Sequence, residues 1–295
     1  MSKLVGSTTK EKIRQLLVGL SRYGPVRYGY MLLRRIPGVN WIVQGFVRTV
    51  LPMGSRVWIK IPDGLAKGMW FCVDPRYEPG YIHGDHEPWL QKLLQKKLKP
   101  GSCFYDVGAH TGFFSLIAAM LVRPSKSVIA FEPDPEVAMT LRENIARNGI
   151  TQVKIVETGV WSFVGSLKFS RASQFSNQTQ GYIVGSSEHA KGESVSISVI
   201  TLDEFVMACN EQSPDFIKLD VEGGEWEALK GAQRLLREVR PDLFCEIHDR
   251  SMVGRIKVFL SEIGYVVEVW DPINPRYPDY RQCYIWATVP RQLGS

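Results

Sequence analysis

A glycine-containing loop and a glutamate are the residues of this chain best suited to bind a nucleoside. The two glycines of the loop follow an aspartate, and the glutamate comes twenty residues after the second glycine. A short apolar run ends at Asp106, turns on Gly108 and Gly112, and continues into a second apolar stretch. Glycines in such a turn let the backbone approach a ligand closely. Another apolar run ends at Glu132, where a carboxylate at a strand tip can accept hydrogen bonds from both ribose hydroxyls. The pattern therefore predicts a nucleoside-cofactor site.

The spacing within this motif distinguishes between kinds of nucleoside. A dinucleotide site has the pattern Gly-x-Gly-x-x-Gly and places a helix N-terminus against a pyrophosphate. Here the spacing is Asp106-x-Gly108-x-x-x-Gly112. An acid at the start of the loop would repel a pyrophosphate, whereas it would suit the cationic methionine end of S-adenosylmethionine, directly or through water. The sequence therefore favours S-adenosylmethionine over the NAD of a dehydrogenase, with an ordinary strand-to-helix turn as the simpler alternative.

Polar side chains after two later strands are candidates for the chemistry. Transfer of a methyl group from a sulfonium to an alcohol requires alignment of the reacting atoms and removal of the alcohol proton. Asp220 and Glu222 follow one predicted strand, and His248 follows the next. We predict that Asp220 and Glu222 position the acceptor or accept its proton, with His248 as the alternative base. Nearby Glu225 is expected to begin a helix, where an acid is favourable, and Lys218 is expected to form a structural ion pair with Asp220 or Glu246.

The same residues allow a metal as an alternative. Asp220, Glu222 and His248 offer oxygen and nitrogen ligands that could hold Mg²⁺ or Mn²⁺ and acidify the acceptor hydroxyl. Residues on separated strands do not fix a ligand geometry, so the sequence does not favour a divalent metal.

The apolar runs around these residues predict the elements that must position them. Runs that read as strands alternate with helical ones, which indicates an α/β protein with a parallel sheet and a ligand site at the carboxyl ends of the strands. Predicted strands cover residues 103–107, 127–131, 153–157, 215–220 and 242–247, and predicted helices cover residues 112–122, 135–148, 202–209, 224–237 and 252–263.

Further runs predict additions to this sheet. Residues 266–269 and 284–288 suit an antiparallel end of the sheet, and residues 167–170 could pair with 195–199 as an antiparallel insertion. Before the sheet, the runs at 56–61 and 69–73 predict a hairpin. The sequence thus predicts three parts, which are a basic, amphipathic helical segment at 1–55, a hairpin and lead-in helix at 56–100, and the cofactor domain at 101–295.

Several separated motifs resemble, in the same order, the FkbM family of S-adenosylmethionine-dependent methyltransferases. These motifs are Tyr105–Gly112, Phe131–Pro133, Asn144, Lys218–Glu225 and Cys245–His248. The resemblance covers about residues 76–250 and implies a Rossmann-like class I methyltransferase fold with a mostly parallel seven-stranded sheet and helices on both faces. It also implies O-methyl transfer, with acceptors that include hydroxyls of sugars and of polyketide-type natural products.

The resemblance adds residues to the predicted cofactor site. Asn144 and Glu87 match recurrent positions in the family, and Gly159 and Val160 follow the third strand, where this fold receives an adenine ring. Asn144 could equally be a surface polar residue of its helix. The candidate cofactor-binding residues are Asp106, Gly108, Ala109, His110, Gly112, Glu132, Pro133, Asn144, Gly159, Val160 and Glu87.

Charge is concentrated at the start of the chain. Of the 295 residues, the first 60 hold eleven Lys and Arg against one acid, Glu11. This segment therefore has a net charge of +10, whereas the whole chain has a net charge of +6. Ile13, Leu16, Leu17 and Leu20 recur there at helical spacing. Such a basic amphipathic helix suits an anionic membrane surface, or it packs on protein and its charges are merely solvated.

Composition bounds the remaining alternatives. Five scattered cysteines argue against a disulfide scaffold or a zinc site, and no leader or bilayer-spanning run is evident. We therefore expect a cytoplasmic protein, either free or peripheral at the inner face of the membrane, with oligomerisation left open. The expected partner is a small-molecule, glycan or glycolipid acceptor.

Two rival functions stay open at this point. A nucleic-acid methyltransferase is disfavoured, because no Asn/Asp-Pro-Pro-aromatic motif follows the fourth strand and no basic-aromatic platform lies in the cofactor domain. A non-catalytic interaction module that retains the cofactor fold is disfavoured by the intact set of Asp106, Gly108, Gly112 and Glu132.

Overall fold

The structure is a computed structural model that describes residues 9–21, 49, 54–74, 79–124, 128–170, 182–183, 194–207, 211–271 and 283–290. The chain divides into two compact units, Met1–Gln91 and Lys92–Ser295. The predicted division at residues 55 and 100 stays a prediction. Most of the predicted basic segment beyond residue 21, and most of the polar stretch at 171–194, lie outside the described residues.

The first unit contains a helix and the predicted hairpin. The helix is Thr9–Ser21, and strands β1 (Val57–Lys60) and β2 (Trp70–Val73) pair antiparallel. The short helix Pro79–His83 follows, and the helix Pro88–Lys97 leads into the second unit. The buried amide of Gln91 fastens the connecting loops, because its Nε2 donates to Gly84 O and His86 O while its Oε1 accepts from Leu65 N–H. No helix among the described residues is both long and apolar enough to cross a bilayer.

The second unit is built on a seven-stranded sheet. Its strands are β3 (Phe104–Val107), β4 (Val128–Phe131), β5 (Val153–Val156), β10 (Phe216–Leu219), β11 (Asp242–Ile247), β12 (Val266–Trp270) and β13 (Cys283–Thr288). Their spatial order is β12-β13-β11-β10-β3-β4-β5, with parallel pairing from β11 to β5 and antiparallel pairing at β13. Every residue of β3, β4 and β10 is buried, as expected for parallel strands covered on both faces. The predicted class I methyltransferase fold is confirmed.

A smaller four-stranded sheet is inserted after β5. It contains β6 (Gly159–Val160), β7 (Gly165–Ser170), β8 (Tyr182–Ile183) and β9 (Ser194–Ile200) in the order β6-β9-β7-β8. The predicted antiparallel pairing of residues 167–170 with 195–199 is present between β7 and β9. Phe169, Ile197 and Val199 form its own small apolar core.

The helices of the second unit follow the prediction with one exception. They are Phe113–Leu121, Pro135–Arg147, Leu202–Met207, Glu225–Lys230, Gln233–Glu238 and Val253–Glu262. The single helix predicted at 224–237 is wrong, since the helix ends at Lys230 and a new one starts at Gln233. At Gly231 the backbone passes so close to Trp161 O that an added Cβ would overlap that oxygen, a long-range approach that the helical spacing of residues 224–237 does not indicate.

Candidate active site

Backbone hydrogen bonds hold the loop after β3 against the end of the neighbouring strand β4. The amides of Gly108 and Ala109 both donate to Phe131 O, at 3.1 and 2.9 Å. Gly108 has φ 78°, and an added Cβ would overlap Asp220 O on the loop after β10. Gly112 has φ 89° and begins the helix Phe113–Leu121. Both glycines therefore occupy positions that other residues fill only with strain, which keeps the loop close to its neighbours.

Asp106 starts this loop from a fully enclosed position. Its Oδ2 accepts a hydrogen bond from Ser115 Oγ at 2.6 Å, and its Oδ1 lies 3.6 Å from Lys218 Nζ. Burial raises the pKa of Asp106, while Lys218 and Ser115 oppose that rise. The side chain is 1% exposed, so in this structure it anchors the loop from within, and its predicted role toward a cofactor stays a prediction.

Glu132 lies at the tip of β4 and closes the other side of the loop. Its Oε2 accepts from His110 N–H at 3.0 Å and its Oε1 from Asp134 N–H at 2.9 Å. Each carboxylate oxygen retains a second lone pair, which is the capacity that two ribose hydroxyls need. Burial raises the pKa of Glu132 to about 7. Burial lowers the pKa of His110 to about 4, so this histidine is neutral at pH 7.

The remaining predicted cofactor residues divide into three groups. Asn144 is completely buried, and its Nδ2 donates to Thr111 O at 2.8 Å, so it fastens the glycine loop to the helix Pro135–Arg147 and is not a surface residue. Gly159 and Val160 form β6, and an added Cβ on Gly159 would lie 3.6 Å from Pro133 Cβ.

Glu87, the last of the predicted cofactor residues, lies in the first unit and has φ 41°. Its carbonyl oxygen accepts hydrogen bonds from Leu90 N–H and Gln91 N–H. Its cofactor role stays a prediction.

Lys218 joins the glycine loop to the predicted catalytic residues. Its ammonium donates to Asp220 Oδ2 at 3.0 Å and to Gly108 O at 3.3 Å, and it lies 3.6 Å from Asp106 Oδ1. The side chain is 3% exposed. The predicted ion pair with Asp220 is present, and Asp106 is an additional partner that the sequence did not indicate.

The three predicted catalytic residues come together around the imidazole of His248. Its Nδ1 lies 2.8 Å from Glu225 Oε1, and its Nε2 lies 3.2 Å from Glu222 Oε2 and 3.9 Å from Asp220 Oδ1. Glu246 Oε1 is 3.8 Å from the same Nε2. Glu225 and Glu246 were not among the predicted catalytic residues, although Glu246 shares a face of β11 with His248 by simple alternation.

The members of this cluster differ in the direction in which their pKa values are shifted. Burial alone would lower the pKa of His248, but the hydrogen bond with Glu225 and the carboxylates of Glu222 and Asp220 raise it to about 11. Burial raises the pKa of Glu222 to about 7. For Asp220, Lys218 and His248 outweigh burial and lower the pKa. An imidazolium cannot accept a proton, so this state favours a carboxylate over His248 as the base.

A metal would compete with this proton arrangement. Ligand atoms of Asp220, Glu246 and His248 lie within 4.8 Å of one another, a set in which Glu246 replaces the predicted Glu222. A metal would require a deprotonated Nε2 on His248, whereas the pKa of that group is raised to about 11. The carboxylates that raise this pKa would also attract a divalent cation, so a metal stays the alternative that the sequence did not favour, and no step below uses one.

A comparison with family models identifies the family of the second unit. Residues 106–267 match the family described as the methyltransferase FkbM domain. Among curated proteins, the chain is 29% identical over 225 residues to the hexuronic acid methyltransferase AglP of Haloferax volcanii, covering 72% of this chain and 89% of that protein.

Two further relatives carry related names. The 2-O-methyltransferase NoeI of Sinorhizobium fredii is 23% identical, with 64% of this chain and 82% of that protein covered. The 31-O-demethyl-FK506 methyltransferase FkbM of Streptomyces tacrolimicus is 26% identical, with 60% and 78% covered. Among solved structures, the methyltransferase FkbM from Methylobacillus flagellatus superposes with a TM-score of 0.46 at 18% identity, covering 90% of this chain and 72% of that one.

Proposed function

The chain belongs to the methyltransferase FkbM family, and we propose that it transfers a methyl group from S-adenosylmethionine to a hydroxyl group of a sugar or of a related natural product. It is a methyltransferase by this membership. The cofactor, the hydroxyl acceptor and the roles of individual residues are the proposed parts.

The residues of the glycine loop fit such a cofactor. When bound, S-adenosylmethionine supplies an electrophilic methyl group on a positively charged sulfur. Glu132 would accept hydrogen bonds from the ribose hydroxyls through the second lone pairs of its oxygens. Gly108, Ala109, His110 and Gly112 would contribute the close backbone wall. Pro133, Gly159 and Val160 would line the adenine ring and complete the site.

The acids after β10 would act on the acceptor. Asp220 and Glu222 would position the acceptor hydroxyl and accept its proton, since an alcohol is poorly acidic at neutral pH. Buried oxygens of both side chains, Asp220 Oδ1 and Glu222 Oε1, make no hydrogen bond within the part of the chain that the structure describes. Each retains an unused acceptor position, which a substrate hydroxyl would reach through a local movement because both oxygens are buried.

The single observation that carries the proposal is the link between the two halves of the site. Lys218 donates to Gly108 O in the glycine loop and to Asp220 Oδ2 in the acidic loop. The predicted cofactor loop and the predicted catalytic acids thus share one buried cation at one edge of the sheet. Such proximity is what transfer between two bound molecules requires.

The acceptor class follows the names of the relatives. One relative is named for a hexuronic acid, one for 2-O-methylation and one for an FK506 precursor. Two of these names specify transfer to a numbered oxygen, and the third specifies a sugar acid, which carries hydroxyls as well as a carboxylate. We therefore place this chain's acceptor among glycans, glycolipids and hydroxylated natural products.

Calorimetric titration with S-adenosylmethionine tests the cofactor. We expect micromolar-range binding that is severely weakened in Glu132→Ala and in Asp106→Ala. Glu238→Gln, which changes an exposed acid paired with Arg234, is the matched control and should bind like the unaltered protein. Unchanged binding in both site variants would remove the assignment of this pocket.

Labelled cofactor tests the acceptor. The protein is incubated with methyl-labelled S-adenosylmethionine and with fractionated glycans and lipids from the source organism. We expect label in a glycan or glycolipid fraction, and its loss in Glu222→Gln. Label in RNA or DNA instead would support the rival nucleic-acid methyltransferase.

The first helix supports peripheral contact with an anionic membrane. In Thr9–Ser21, Ile13, Leu16 and Leu20 are 47%, 63% and 45% exposed, whereas Val18 is 2% exposed. An exposed apolar stripe within a basic segment is the pattern of an interfacial helix. Flotation with anionic vesicles should show binding that is lost when all three exposed residues become Gln and retained in Val258→Gln, a control of similar exposure. Equal, negligible flotation of every form would end this idea.

A further inference from the structure

Glu225 holds one side of the His248 imidazole. It is the first residue of the helix Glu225–Lys230, and its side chain is 3% exposed. Its Oε1 lies 2.8 Å from His248 Nδ1 and also accepts from Gly223 N–H at 2.9 Å. The carboxylate is therefore fixed from two directions, and it fixes a proton on Nδ1 of the imidazole.

Glu222 faces the other side of the same ring. Its Oε2 lies 3.2 Å from His248 Nε2, while its Oε1 is buried and makes no hydrogen bond to any described residue. The backbone of Glu222 has φ 52°, a left-handed conformation that is strained for a residue other than glycine. Strain of this kind persists where the surroundings determine a conformation, and it concentrates at functional sites. Glu222 is thus held with one oxygen beside the imidazole and the other buried without a hydrogen bond to any described residue.

We propose that Glu225 is a positioning residue that keeps His248 doubly protonated, and that His248 in turn presents Glu222 as the acceptor of the substrate's hydroxyl proton. This inference rests on the proposed function. Glu222 Oε1 takes the hydroxyl proton, the hydroxyl oxygen forms the new bond to the methyl carbon, and the electron pair of the methyl–sulfur bond leaves with sulfur. His248 donates both its protons to carboxylates throughout and is itself unchanged.

The charges around His248 support this division of roles. Glu225, Glu222, Asp220 and Glu246 all face the imidazole, and Lys218 faces Asp220 from β10. Four acids around one imidazole stabilise its cationic form. The pKa of Glu222 is raised to about 7, which suits a base that must be ionised near neutral pH and still bind a proton well.

The competing assignment makes His248 the base. It would require a neutral imidazole whose Nε2 faces the acceptor. Here Nε2 instead lies among three carboxylates, at 3.2 to 3.9 Å. The two assignments predict different results when His248 is replaced. If His248 is the base, its replacement lowers activity at every pH. If His248 is a cation that keeps Glu222 ionised, a higher pH ionises Glu222 again and restores activity.

Histidine NMR tests the Glu225–His248 relation without any substrate. The chain has five histidines, so the His248 signal can be assigned by its absence in His248→Gln. We expect His248 to stay doubly protonated from about pH 6 to about pH 9, and its pKa to fall by about one unit or more in Glu225→Gln. Glu225→Gln retains an oxygen that accepts from Nδ1 and from Gly223 N–H, so folding should be preserved.

Glu227→Gln is the matched control. Glu227 lies on the same helix but bonds Ser162 and Lys230 away from the imidazole, so its replacement should leave the His248 signal unchanged. A His248 that titrates near its ordinary pKa of about 6.5 in the unaltered protein would overturn the proposal.

The pH dependence of methyl transfer tests the role of Glu222. Labelled S-adenosylmethionine and a simple glucuronide serve as probes. We expect Glu222→Gln to lower kcat by about 100-fold or more at every pH. His248→Gln and His248→Asn should instead move the acidic limb of the kcat profile to higher pH, because Glu222 loses its cation and its pKa rises further. The KM for S-adenosylmethionine should stay unchanged in all three variants.

The outcomes separate this inference from the proposed function. If His248 variants lose activity equally at every pH, His248 is the base and the inference fails. If calorimetry shows no binding of S-adenosylmethionine, the proposed function fails, while the NMR result still decides whether Glu225 controls the protonation of His248.

Discussion

Lys218 lies directly opposite Asp106 on the neighbouring strand, and its ammonium is 3.6 Å from Asp106 Oδ1 and 3.0 Å from Asp220 Oδ2. All three side chains are largely buried. One cation therefore compensates two acids that begin the two loops of the site. Removal of the cation should damage both loops at once.

We expect Lys218→Met to lower the free energy of unfolding by about 3–5 kcal/mol at neutral pH, because two buried carboxylates lose their partner. Denaturant unfolding measures this change. Lys230→Met, which breaks the more exposed pair with Glu227, should cost less than about 1 kcal/mol. The loss in Lys218→Met should shrink as the pH falls and the two acids become protonated. A loss below about 1 kcal/mol at neutral pH would contradict the interpretation of Lys218 as the charge that holds the site together.

Gly108→Ala should disrupt the cofactor loop by collision rather than by backbone strain alone. The new Cβ would overlap Asp220 O, and φ 78° is itself unfavourable for alanine. Gly149→Ala is a matched control, since Gly149 has φ 64° but no atom within 4 Å of the added Cβ. We expect the control to cost about 1–2 kcal/mol and to bind S-adenosylmethionine normally. Gly108→Ala should abolish that binding in calorimetry, and normal binding would show that the two loops need not touch.

The positions of the strands along the chain, and of the acids near their ends, could be predicted from the sequence because local signals carry them. Short apolar runs that end in Asp106 and Glu132 define where two strands stop, and parallel strands that stop at one edge bring those residues together. Asn144 was found through the family resemblance, and its buried bond to Thr111 O explains why an amide suits that position.

Other relationships depend on register and long-range approach, which no local pattern encodes. The sequence left Lys218 as a partner of Asp220 or Glu246, and only the pairing of β10 with β3 brings it opposite Asp106. Glu225 could be predicted as a helix start, but its bond to His248 requires the packing of that helix against β11. The break at Gly231 has the same cause, since Trp161 is distant in sequence.

Removal of divalent metal should leave the protein active. Nε2 of His248 lies 3.2 Å from Glu222 Oε2 in the protonated state proposed above, and Asp220 already accepts from Lys218, so a metal would have to displace a proton and a cation. We expect methyl transfer in excess EDTA to equal that of the untreated protein. An activity that EDTA removes and Mg²⁺ or Mn²⁺ restores would contradict this. Glu246→Gln would then identify the site, since Glu246, Asp220 and His248 are the described side chains whose three ligand atoms all lie within 4.8 Å of one another.

Binding of the cofactor should release protons near neutral pH through Glu132. The pKa of this carboxyl is raised to about 7 in the folded protein, above its ordinary value of 4.5. Between these two values the folded state holds more protons than the unfolded state, so Glu132 lowers the free energy of unfolding as the pH rises through this window. Ribose hydroxyls that donate to Glu132 favour the ionised form and oppose that effect.

Affinity for S-adenosylmethionine should consequently rise as the pH increases from about 6 to about 8. Calorimetry at about pH 6.5 in buffers of different ionisation enthalpy measures the number of protons released. We expect a release in the unaltered protein, little or none in Glu132→Gln, and an undiminished release in Glu222→Gln, because Glu222 also has a pKa of about 7 but belongs to the acceptor side. If Glu132→Gln leaves the release intact while Glu222→Gln removes it, the cofactor contacts the acids after β10, and the ribose is bound by other groups.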